Sequence, residues 1–288
     1  MADVAELSVH WRDLSVRFKE VTALQPCSGD VEAGELTALM GPTGSGKTSL
    51  LNAIARRGPV SAGTVGYGAG GAIGWSSALK RHVAFIEQDD VVFPNLTVRE
   101  AMVFSARLRL PGASLKEKLE KVEECLRLLR LGACADTKVG DVGGDGCVSG
   151  GERKRLMVGQ EMLTNPKLLC CDEPTSGLDS STACVVVEAL RDLAKAKNVA
   201  VVASVHQPSS RLFLLFHKLI LLDPGTGVAY RGPTASAGAA FADAPFDRPC
   251  PAAYSASDWR ARRVESQFSF DSRVMIRTKL DDDLNSRD

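Results

Sequence analysis

Gly41-Pro42-Thr43-Gly44-Ser45-Gly46-Lys47-Thr48 follows the apolar run 36–40 and precedes residues 49–57, which favour a helix. The G-x-x-x-x-G-K-[S/T] spacing is typical of a loop that cradles phosphate groups. Its glycines let main-chain N–H groups turn inward around phosphate oxygens. Lys47 adds a positive charge for the β- and γ-phosphates, and Thr48 offers a hydroxyl to Mg²⁺. The helix, from Ser49 onward, points its positive end at the anion, so this segment predicts a nucleotide-binding site.

Length and composition place the chain among ordinary globular proteins. Its 288 residues suffice for one large domain, or for one domain with an appendage, and 44% of them are hydrophobic, as is usual. Lys plus Arg and Asp plus Glu number 35 each, so no basic field favours nucleic acid as a partner. The eight cysteines form no C-x-x-C pair, and the N-terminus has no signal-peptide pattern. We therefore expect reduced cytosolic thiols and no disulfide framework.

The chain contains no stretch close to the roughly 20 apolar residues that a transmembrane helix requires. The best candidate, residues 212–222, is interrupted by His217 and Lys218 and is expected to be a buried strand with its approach. We expect the chain as given to be soluble and not to cross a membrane.

Short apolar segments alternate with longer helical patterns along the sequence. The expected strands are residues 7–9, 14–18, 36–40, 82–86, 167–171, 199–205 and 219–223. Those at 36–40, 167–171 and 199–205 are almost entirely apolar, as strands covered on both faces are. The strand at 14–18 instead alternates apolar and polar residues, as a half-exposed strand does. The pattern predicts an α/β domain with a largely parallel core sheet, and the glycine-rich segment 61–74 predicts a β-hairpin.

Two helices are expected to begin at capping boxes. Thr97 with Glu100 opens a helix over 98–108, and Ser114 with Glu117 opens one over 115–131. The second helix carries an apolar stripe that we expect to be packed in the core. The stripe consists of Leu115, Leu119, Val122, Leu126 and Leu129.

The domain organisation follows from where these patterns start and stop. No convincing strand pattern lies between residues 88 and 167, which predicts a mainly helical insert at about 94–165. After about residue 233 the chain becomes rich in Ala, Ser and Pro, and beyond residue 259 it is charged without periodicity. We expect one domain over 1–240 and a weakly ordered, linker-like tail over 241–288.

Two carboxylates, Asp172 and Glu173, follow the apolar segment 168–171. Ligands bind where the carboxyl ends of strands meet the edge of an open α/β sheet. We expect Asp172 to hold Mg²⁺, directly or through water, and Glu173 to accept a proton from the attacking water. Asp-Glu-Pro is by itself an ordinary turn after a strand, and the phosphate loop is what favours the catalytic interpretation.

A second glycine-containing helix start lies at residues 148–155. Ser149, Gly150, Gly151 and Glu152 form a capped helix N-terminus able to bind an anion. Alone, this helix start is a moderate indication of an anion-binding site. Its order and distance relative to the phosphate loop make the indication very specific.

In this order the segments resemble the nucleotide-binding domain of an ATP-binding cassette (ABC) transporter. Residues 41–48 match its Walker A motif, 148–152 its signature motif and 168–173 its Walker B motif. Residues 176–179, with Asp179, match the D-loop, Gln88 the Q-loop and His206 the H-loop. The residues within and around these motifs are similar to those of subfamily G, the white and breast-cancer-resistance-like half-transporters. Its resembling segments are 88–90, 96–100, 148–155, 177–182 and 204–208, and the likeness covers roughly residues 7–260.

The resemblance implies a P-loop ABC-type ATPase core with a mainly helical insert and an antiparallel β subdomain. It also implies that two such domains pack head to tail with ATP and Mg²⁺ between them. Lys47, Thr48 and Gln88 of one domain would face the signature residues of the other across the γ-phosphate. Thr48, Gln88 and Asp172 would bind Mg²⁺.

The same resemblance assigns three further side chains. His206 would contact the γ-phosphate, unless it is an ordinary strand-end histidine, and Asp179 would link the two sites. Phe18 would stack on adenine, although an inward-facing core phenylalanine fits the sequence almost as well.

The resemblance also implies a membrane domain that this sequence lacks, so the partners expected are a second nucleotide-binding domain and a transmembrane domain. The chain would be a fragment, a truncated product or a cassette with a separate membrane subunit, acting at the cytosolic face of a membrane. One alternative is a binding-only or inactive cassette. Another is a soluble ABC ATPase, which the single phosphate loop and the short insert disfavour.

Overall fold

The computed structural model describes residues 7–89, 92–141 and 146–237. Within these ranges the chain forms nine strands and seven α-helices. The strands are β1 (Val9–Phe18), β2 (Val21–Val31), β3 (Leu36–Met40), β4 (Ala62–Tyr67), β5 (Val83–Ile86), β6 (Leu168–Cys171), β7 (Ala200–Ser204), β8 (Lys218–Asp223) and β9 (Gly227–Pro233). The helices are α1 (Lys47–Ile54), α2 (Ser77–Lys80), α3 (Val98–Arg109), α4 (Leu115–Leu128), α5 (Gly150–Met162), α6 (Ser180–Lys197) and α7 (Ser210–Phe213).

A six-stranded sheet forms the centre of the domain, in the order β5-β6-β7-β3-β8-β9. Its first five strands are parallel, and β9 pairs antiparallel with β8 at the edge. Every residue of β3, β6 and β7 is buried, because residues on both faces of these strands pack into hydrophobic clusters. The predicted α/β fold with a largely parallel core sheet is confirmed. The strand β9 was not predicted, since its sequence contains Gly and Pro in place of an apolar run.

The antiparallel β subdomain that the resemblance implies is confirmed as a three-stranded sheet in the order β2-β1-β4. The segments predicted as strands 7–9 and 14–18 belong mostly to the single strand β1, which shifts register around Asp13. The half-exposed pattern expected there is wrong for residues 14–16, which are all buried. The hairpin predicted over 61–74 is present only as one antiparallel bridge between Tyr67 and Ile73, and the strand β4 pairs mainly with β1.

The strand β2 was missed because it contains Pro and Gly, residues that are depleted from strands. It is an edge strand, the position in a sheet where a proline is tolerated. Gly29 lies opposite Trp11, and a Cβ on Gly29 would approach the indole ring to 2.4 Å. Glycine is therefore required at position 29, because the buried indole ring of Trp11 lies against β2 where a Cβ would be.

The insert is formed by α3, α4 and α5 in the described residues. Both predicted capping boxes are present, from Thr97 to Glu100 and from Ser114 to Glu117. The helix α4 ends three residues earlier than expected, because Arg130 adopts a left-handed conformation with φ of 55°. The apolar stripe on α4 is only partly in the core: Val122, Leu126 and Leu129 are buried, but Leu115 and Leu119 are 54% and 42% exposed.

The described cysteines are free, and all but Cys147 are buried. Within the described ranges, none of the helices combines the length and apolar content that crossing a bilayer takes. The tail predicted over 241–288 lies outside the described residues.

Candidate functional site

Four adjacent parallel strands, β5, β6, β7 and β3, bring the predicted site residues to one edge of the core sheet. The glycine loop follows β3, and His206 lies two residues after the end of β7. Asp172 and Glu173 follow β6 directly, and Gln88 lies two residues after β5. Because parallel strands present their carboxyl ends at the same edge, the sheet order collects segments that are far apart in sequence.

The glycine loop needs its glycines for backbone geometry. Gly41, Gly44 and Gly46 have φ of 152°, 81° and 93°, values that side chains other than glycine rarely permit. A Cβ on Gly46 would lie 2.5 Å from the carbonyl oxygen of Ala23 in β2, whereas one on Gly44 would meet nothing within 4 Å. The loop is therefore packed against the antiparallel sheet on one side and open at Gly44.

The helix α1 begins at Lys47, two residues earlier than predicted, and it ends at Ile54 because Arg56 takes a left-handed conformation. Thr48 is therefore within the first helical turn, and Gly46 is the residue before the helix. The free N–H groups of a helix N-terminus and its dipole favour an anion there.

The Lys47 side chain is held inside the loop, with only 8% exposed. Its Nζ donates hydrogen bonds to the carbonyl oxygens of Gly41 (2.9 Å) and Pro42 (3.1 Å). Burial lowers the pKa of Lys47, and the nearby negative charges of Glu173 and Asp172 act against that lowering. The ammonium thus lies between the loop and the two carboxylates, where a polyphosphate would replace its carbonyl partners.

Ser45 gives an independent indication of a ligand. Its Oγ is buried in the loop and has no hydrogen-bond partner among the described residues. An unpaired buried hydroxyl is unusual in a folded protein. A phosphate oxygen would satisfy it, so the loop fits a nucleotide polyphosphate.

The residues expected at the metal fit Mg²⁺ with its phosphate ligands. Asp172 is 6% exposed, and its Oδ1 accepts a hydrogen bond of 2.6 Å from Ser204 Oγ. Its main-chain N–H still donates to Ile86 O of β5, at 2.9 Å. No cluster of three or more His, Cys, Asp or Glu side chains that could hold a metal occurs in the described ranges. One carboxylate, the Thr48 hydroxyl and phosphate oxygens are the ligands that Mg²⁺ accepts in nucleotide sites.

Glu173, Gln88 and His206 follow the carboxyl ends of β6, β5 and β7 at this edge of the sheet. Glu173 is half-buried and has a left-handed backbone, with φ of 47°. Gln88 and His206 are both exposed. The carbonyl oxygen of Gln88 accepts a 2.6 Å hydrogen bond from Lys154 Nζ of α5.

The predicted signature residues lie at the N-terminus of α5. Ser149 is an exposed N-cap whose Oγ accepts from the Glu152 main-chain N–H, and the Glu152 carboxylate accepts from the Ser149 main-chain N–H in return. Burial raises the pKa of Glu152, but the hydrogen bonds from Ser149 and Cys134 and the charge of Arg155 lower it overall.

Asp179 is the N-cap of α6, next to the signature. Its carboxylate accepts hydrogen bonds from Ser181 and Thr182, from both main chain and side chains. These bonds lower the pKa of Asp179. A Cβ on Gly151 would lie 2.3 Å from Thr182 Cγ2, so the starts of α5 and α6 are in direct contact.

Phe18 is 52% exposed at the end of β1, which excludes the core alternative. It pairs in register with Val21 of β2, three residues before the Leu24 that packs on Gly46. Stacking on adenine stays a prediction that this position permits.

Two residues at the site were not predicted. Ser204 was missed because it ends an otherwise apolar strand, in which it is the one polar residue. Lys154 belongs to a basic run that is typical of a solvated helix face, yet it is 5% exposed.

Comparisons with known proteins agree with this geometry. The ABC transporter family model matches residues 24–176, more than half of the chain. ABC transporter G family member 21 of Arabidopsis thaliana is 49% identical over 205 residues, which is 70% of this chain and 30% of the relative. G family member 11 of the same plant is 42% identical over 268 residues (90% and 37%). G family member 22 of Dictyostelium discoideum is 39% identical over 236 residues (78% and 38%).

The chain spans about a third of the length of these curated relatives. The family match includes the glycine loop and the two carboxylates after β6, the same groups that meet at the edge of the sheet. The chain therefore belongs to the ABC transporter family, as an ATP-binding cassette of the G-family type.

Proposed function

We propose that this cassette binds Mg-ATP, hydrolyses it to ADP and phosphate, and drives transmembrane export when joined to a membrane domain. The observation that carries the proposal is the position of Lys47, buried between the glycine loop and the carboxylates Asp172 and Glu173. Such a site offers a cation for the β- and γ-phosphates and two carboxylates for metal and water.

Separate groups of residues bind the phosphates, hold the metal and activate the attacking water. The loop N–H groups, Ser45 and Lys47 bind the phosphates, while Asp172, Thr48 and Gln88 would hold Mg²⁺, which would supply positive charge to the phosphates. Glu173 accepts a proton from the water that attacks the γ-phosphorus, and His206 donates to the γ-phosphate oxygens.

The second half of each site comes from another cassette. Ser149, Gly150 and Gly151 lie at a helix N-terminus, with Ser149 and Gly150 exposed, and they would bind the γ-phosphate held by a partner's glycine loop. ATP supplies that bridging charge and ADP does not, so ATP stabilises the closed pair and hydrolysis releases it.

A cleft of about 630 Å³ is the site we propose for a cytosolic segment of the membrane domain. Arg57 lies 4.5 Å above the Phe85 ring and forms an ion pair with Glu87 on one side. Arg109 and Glu161 form an ion pair on the helical side. The cleft thus joins the core sheet to the insert one residue before Gln88, where a docked helix would sense nucleotide-dependent movement.

The test is ATP hydrolysis by the wild type and Glu173→Gln, with size exclusion in the presence of Mg-ATP. We expect the variant to lose at least about 100-fold in kcat, because a general base contributes that much, and to accumulate as an ATP-bound dimer. Glu120→Gln, which changes an exposed glutamate of α4, is the matched control and should retain wild-type activity.

Unchanged hydrolysis by Glu173→Gln would reject its role as the base. A wild type that binds ATP but neither hydrolyses it nor pairs would instead identify a binding-only cassette.

A further inference from the structure

Ser204 is the last residue of β7 and is completely buried, next to Ala203 and two strand positions from Val202. Such a strand ordinarily carries apolar residues only, since burying a hydroxyl is unfavourable unless it is hydrogen-bonded. The serine is therefore expected to have a specific partner.

The Ser204 hydroxyl has two partners, which belong to the neighbouring residues Asp172 and Glu173. Ser204 Oγ donates a 2.6 Å hydrogen bond to Asp172 Oδ1. The main-chain N–H of Glu173 donates a 2.7 Å hydrogen bond to the same Oγ. Because a serine hydroxyl has one proton, giving it to the carboxylate leaves the oxygen free to accept from the amide. One atom thus satisfies the proposed metal ligand and the backbone of the proposed base.

This hydroxyl lies where the parallel ladder between β6 and β7 stops. The last paired residues are Cys171 and Ala203, and Asp172 N–H still donates to β5. At Glu173 the backbone turns to a left-handed φ of 47°, a conformation that is unfavourable for a residue with a Cβ. The bond from Glu173 N–H to Ser204 Oγ supplies the acceptor that supports this turn.

The turn has a consequence for the two neighbouring carboxylates. In a continued strand, Asp172 and Glu173 would point to opposite faces of the sheet. The left-handed turn instead keeps both near Lys47, whose ammonium interacts with each of them.

We propose that Ser204 is a positioning residue, which fixes Asp172 for Mg²⁺ and holds the backbone turn that aims Glu173 at the water. The inference rests on the proposed function of this site. It adds a contribution from β7, the strand that also leads to His206, so that the proposed base and the proposed metal ligand share one hydrogen-bonded support.

The experiment compares Ser204→Ala and Ser204→Thr with the wild type. Ser204→Ala removes the donor to the Asp172 carboxylate and leaves the half-buried Glu173 amide unpaired. We expect kcat to fall by about tenfold to a hundredfold. Affinity for ATP without metal should change by less than about threefold, because the glycine loop is intact. Ser204→Thr keeps the hydroxyl on a β-branched residue suited to a strand and should restore kcat to within about threefold.

A measurement independent of hydrolysis is Mn²⁺ affinity in the complex with a non-hydrolysable ATP analogue, followed by the electron paramagnetic resonance of free Mn²⁺. Mn²⁺ accepts the same oxygen ligands as Mg²⁺. Ser204→Ala should bind it about tenfold more weakly. Ser105→Ala is the control, since Ser105 is a buried serine of α3 that accepts a 2.9 Å hydrogen bond from Gln160 outside the site. It should also lower thermal stability, but keep wild-type kcat and Mn²⁺ affinity.

Wild-type Mn²⁺ affinity in a folded Ser204→Ala protein would overturn the proposal, and so would equal losses of kcat in the two alanine variants. If the wild type itself does not hydrolyse ATP, the catalytic function is rejected. The Mn²⁺ comparison then still decides whether Ser204 positions Asp172.

Discussion

The edge of the core sheet and the N-termini of α5 and α6 differ in where their polar groups find partners. At the sheet edge, Lys47 and Asp172 are buried. Lys47 donates to carbonyl oxygens five and six positions earlier in the glycine loop, and Asp172 accepts from Ser204, 32 positions later in the chain. At the helix N-termini, Ser149 and Asp179 are exposed and are bonded to residues two or three positions along the same chain. The first region is organised for a ligand by the whole fold, whereas the second is a local cap that faces outward.

Because of this difference, substitutions in the two regions should have different effects. A change at the sheet edge should weaken nucleotide binding by a single cassette. A change at the helix N-termini should leave that binding intact and weaken the proposed pairing with a second cassette.

Lys47→Ala should give the largest change in nucleotide affinity. The ammonium is buried beside the loop carbonyls, and losing its charge-assisted bonds to phosphate costs about 3 kcal/mol, or roughly a hundredfold in Kd. Isothermal titration of Mg-ATP would measure this. Lys116→Ala removes a lysine whose side chain is 87% exposed and should bind as the wild type does; equal affinities of all three proteins would place the nucleotide elsewhere.

Gly151→Ala should affect the second region alone. The new Cβ would lie 2.3 Å from Thr182 Cγ2, so the start of α5 must move away from α6. We expect ATPase activity to fall by about tenfold or more, since a displacement of about 1 Å in a catalytic group can have that effect. ATP affinity of the isolated cassette, measured by titration, should remain within about twofold.

The contact itself supplies a rescue. Thr182→Ser removes the Cγ2 methyl and keeps the hydroxyl that donates to Asp179 Oδ2. The double variant Gly151→Ala/Thr182→Ser should therefore recover most of the activity. Gly112→Ala, where a Cβ meets nothing within 4 Å, is the control substitution. A failure of the double variant to recover would show that the glycine is needed for a reason other than this contact.

The same comparison shows which parts of the molecule sequence patterns can predict. The buried parallel strands and the capping boxes at Thr97 and Ser114 depend on local composition and spacing, and the structure contains them as predicted. The strands β2 and β9 were missed because their stability comes from pairing with β1 and β8, which a local pattern containing Pro and Gly does not reveal.

The site shows the same limit at the level of single side chains. The order of strands in the sheet collects the motifs, and their local sequences reveal each motif but not its neighbours. Ser204 and Lys154 act through partners 32 and 66 positions away, so no spacing rule could identify them. The exposed Leu115 and Leu119 were misassigned for a related reason: amphipathic spacing identifies an apolar face but not how far along a helix it is covered.

Phe18→Ala tests whether the sheet-edge site extends to the tip between β1 and β2. The ring is half exposed, and stacking of a base on one aromatic face contributes about 1 kcal/mol. We expect ATP affinity to fall about fivefold, with the affinity for tripolyphosphate unchanged. Phe104→Ala, at an exposed phenylalanine of α3, should alter neither. A parallel loss for both ligands would indicate a damaged loop and would reject stacking.

Asp179→Asn should give the smallest effect, and it is one that depends on pH. Asparagine is a good N-cap, but it cannot accept from both the Ser181 and Thr182 hydroxyls as the carboxylate does. These hydrogen bonds lower the pKa of Asp179 below its ordinary value of 3.8, so the folded state favours the charged form. Its contribution to stability is fully present above that ordinary value and is lost as the pH falls toward the folded-state pKa.

Urea unfolding of the wild type and Asp179→Asn at pH 7, 5, 4 and 3 measures this contribution. The wild type should be slightly the more stable at pH 7 and 5, and the difference should shrink between pH 4 and 3. A difference that stays constant over this range would mean that the cap does not depend on the charge.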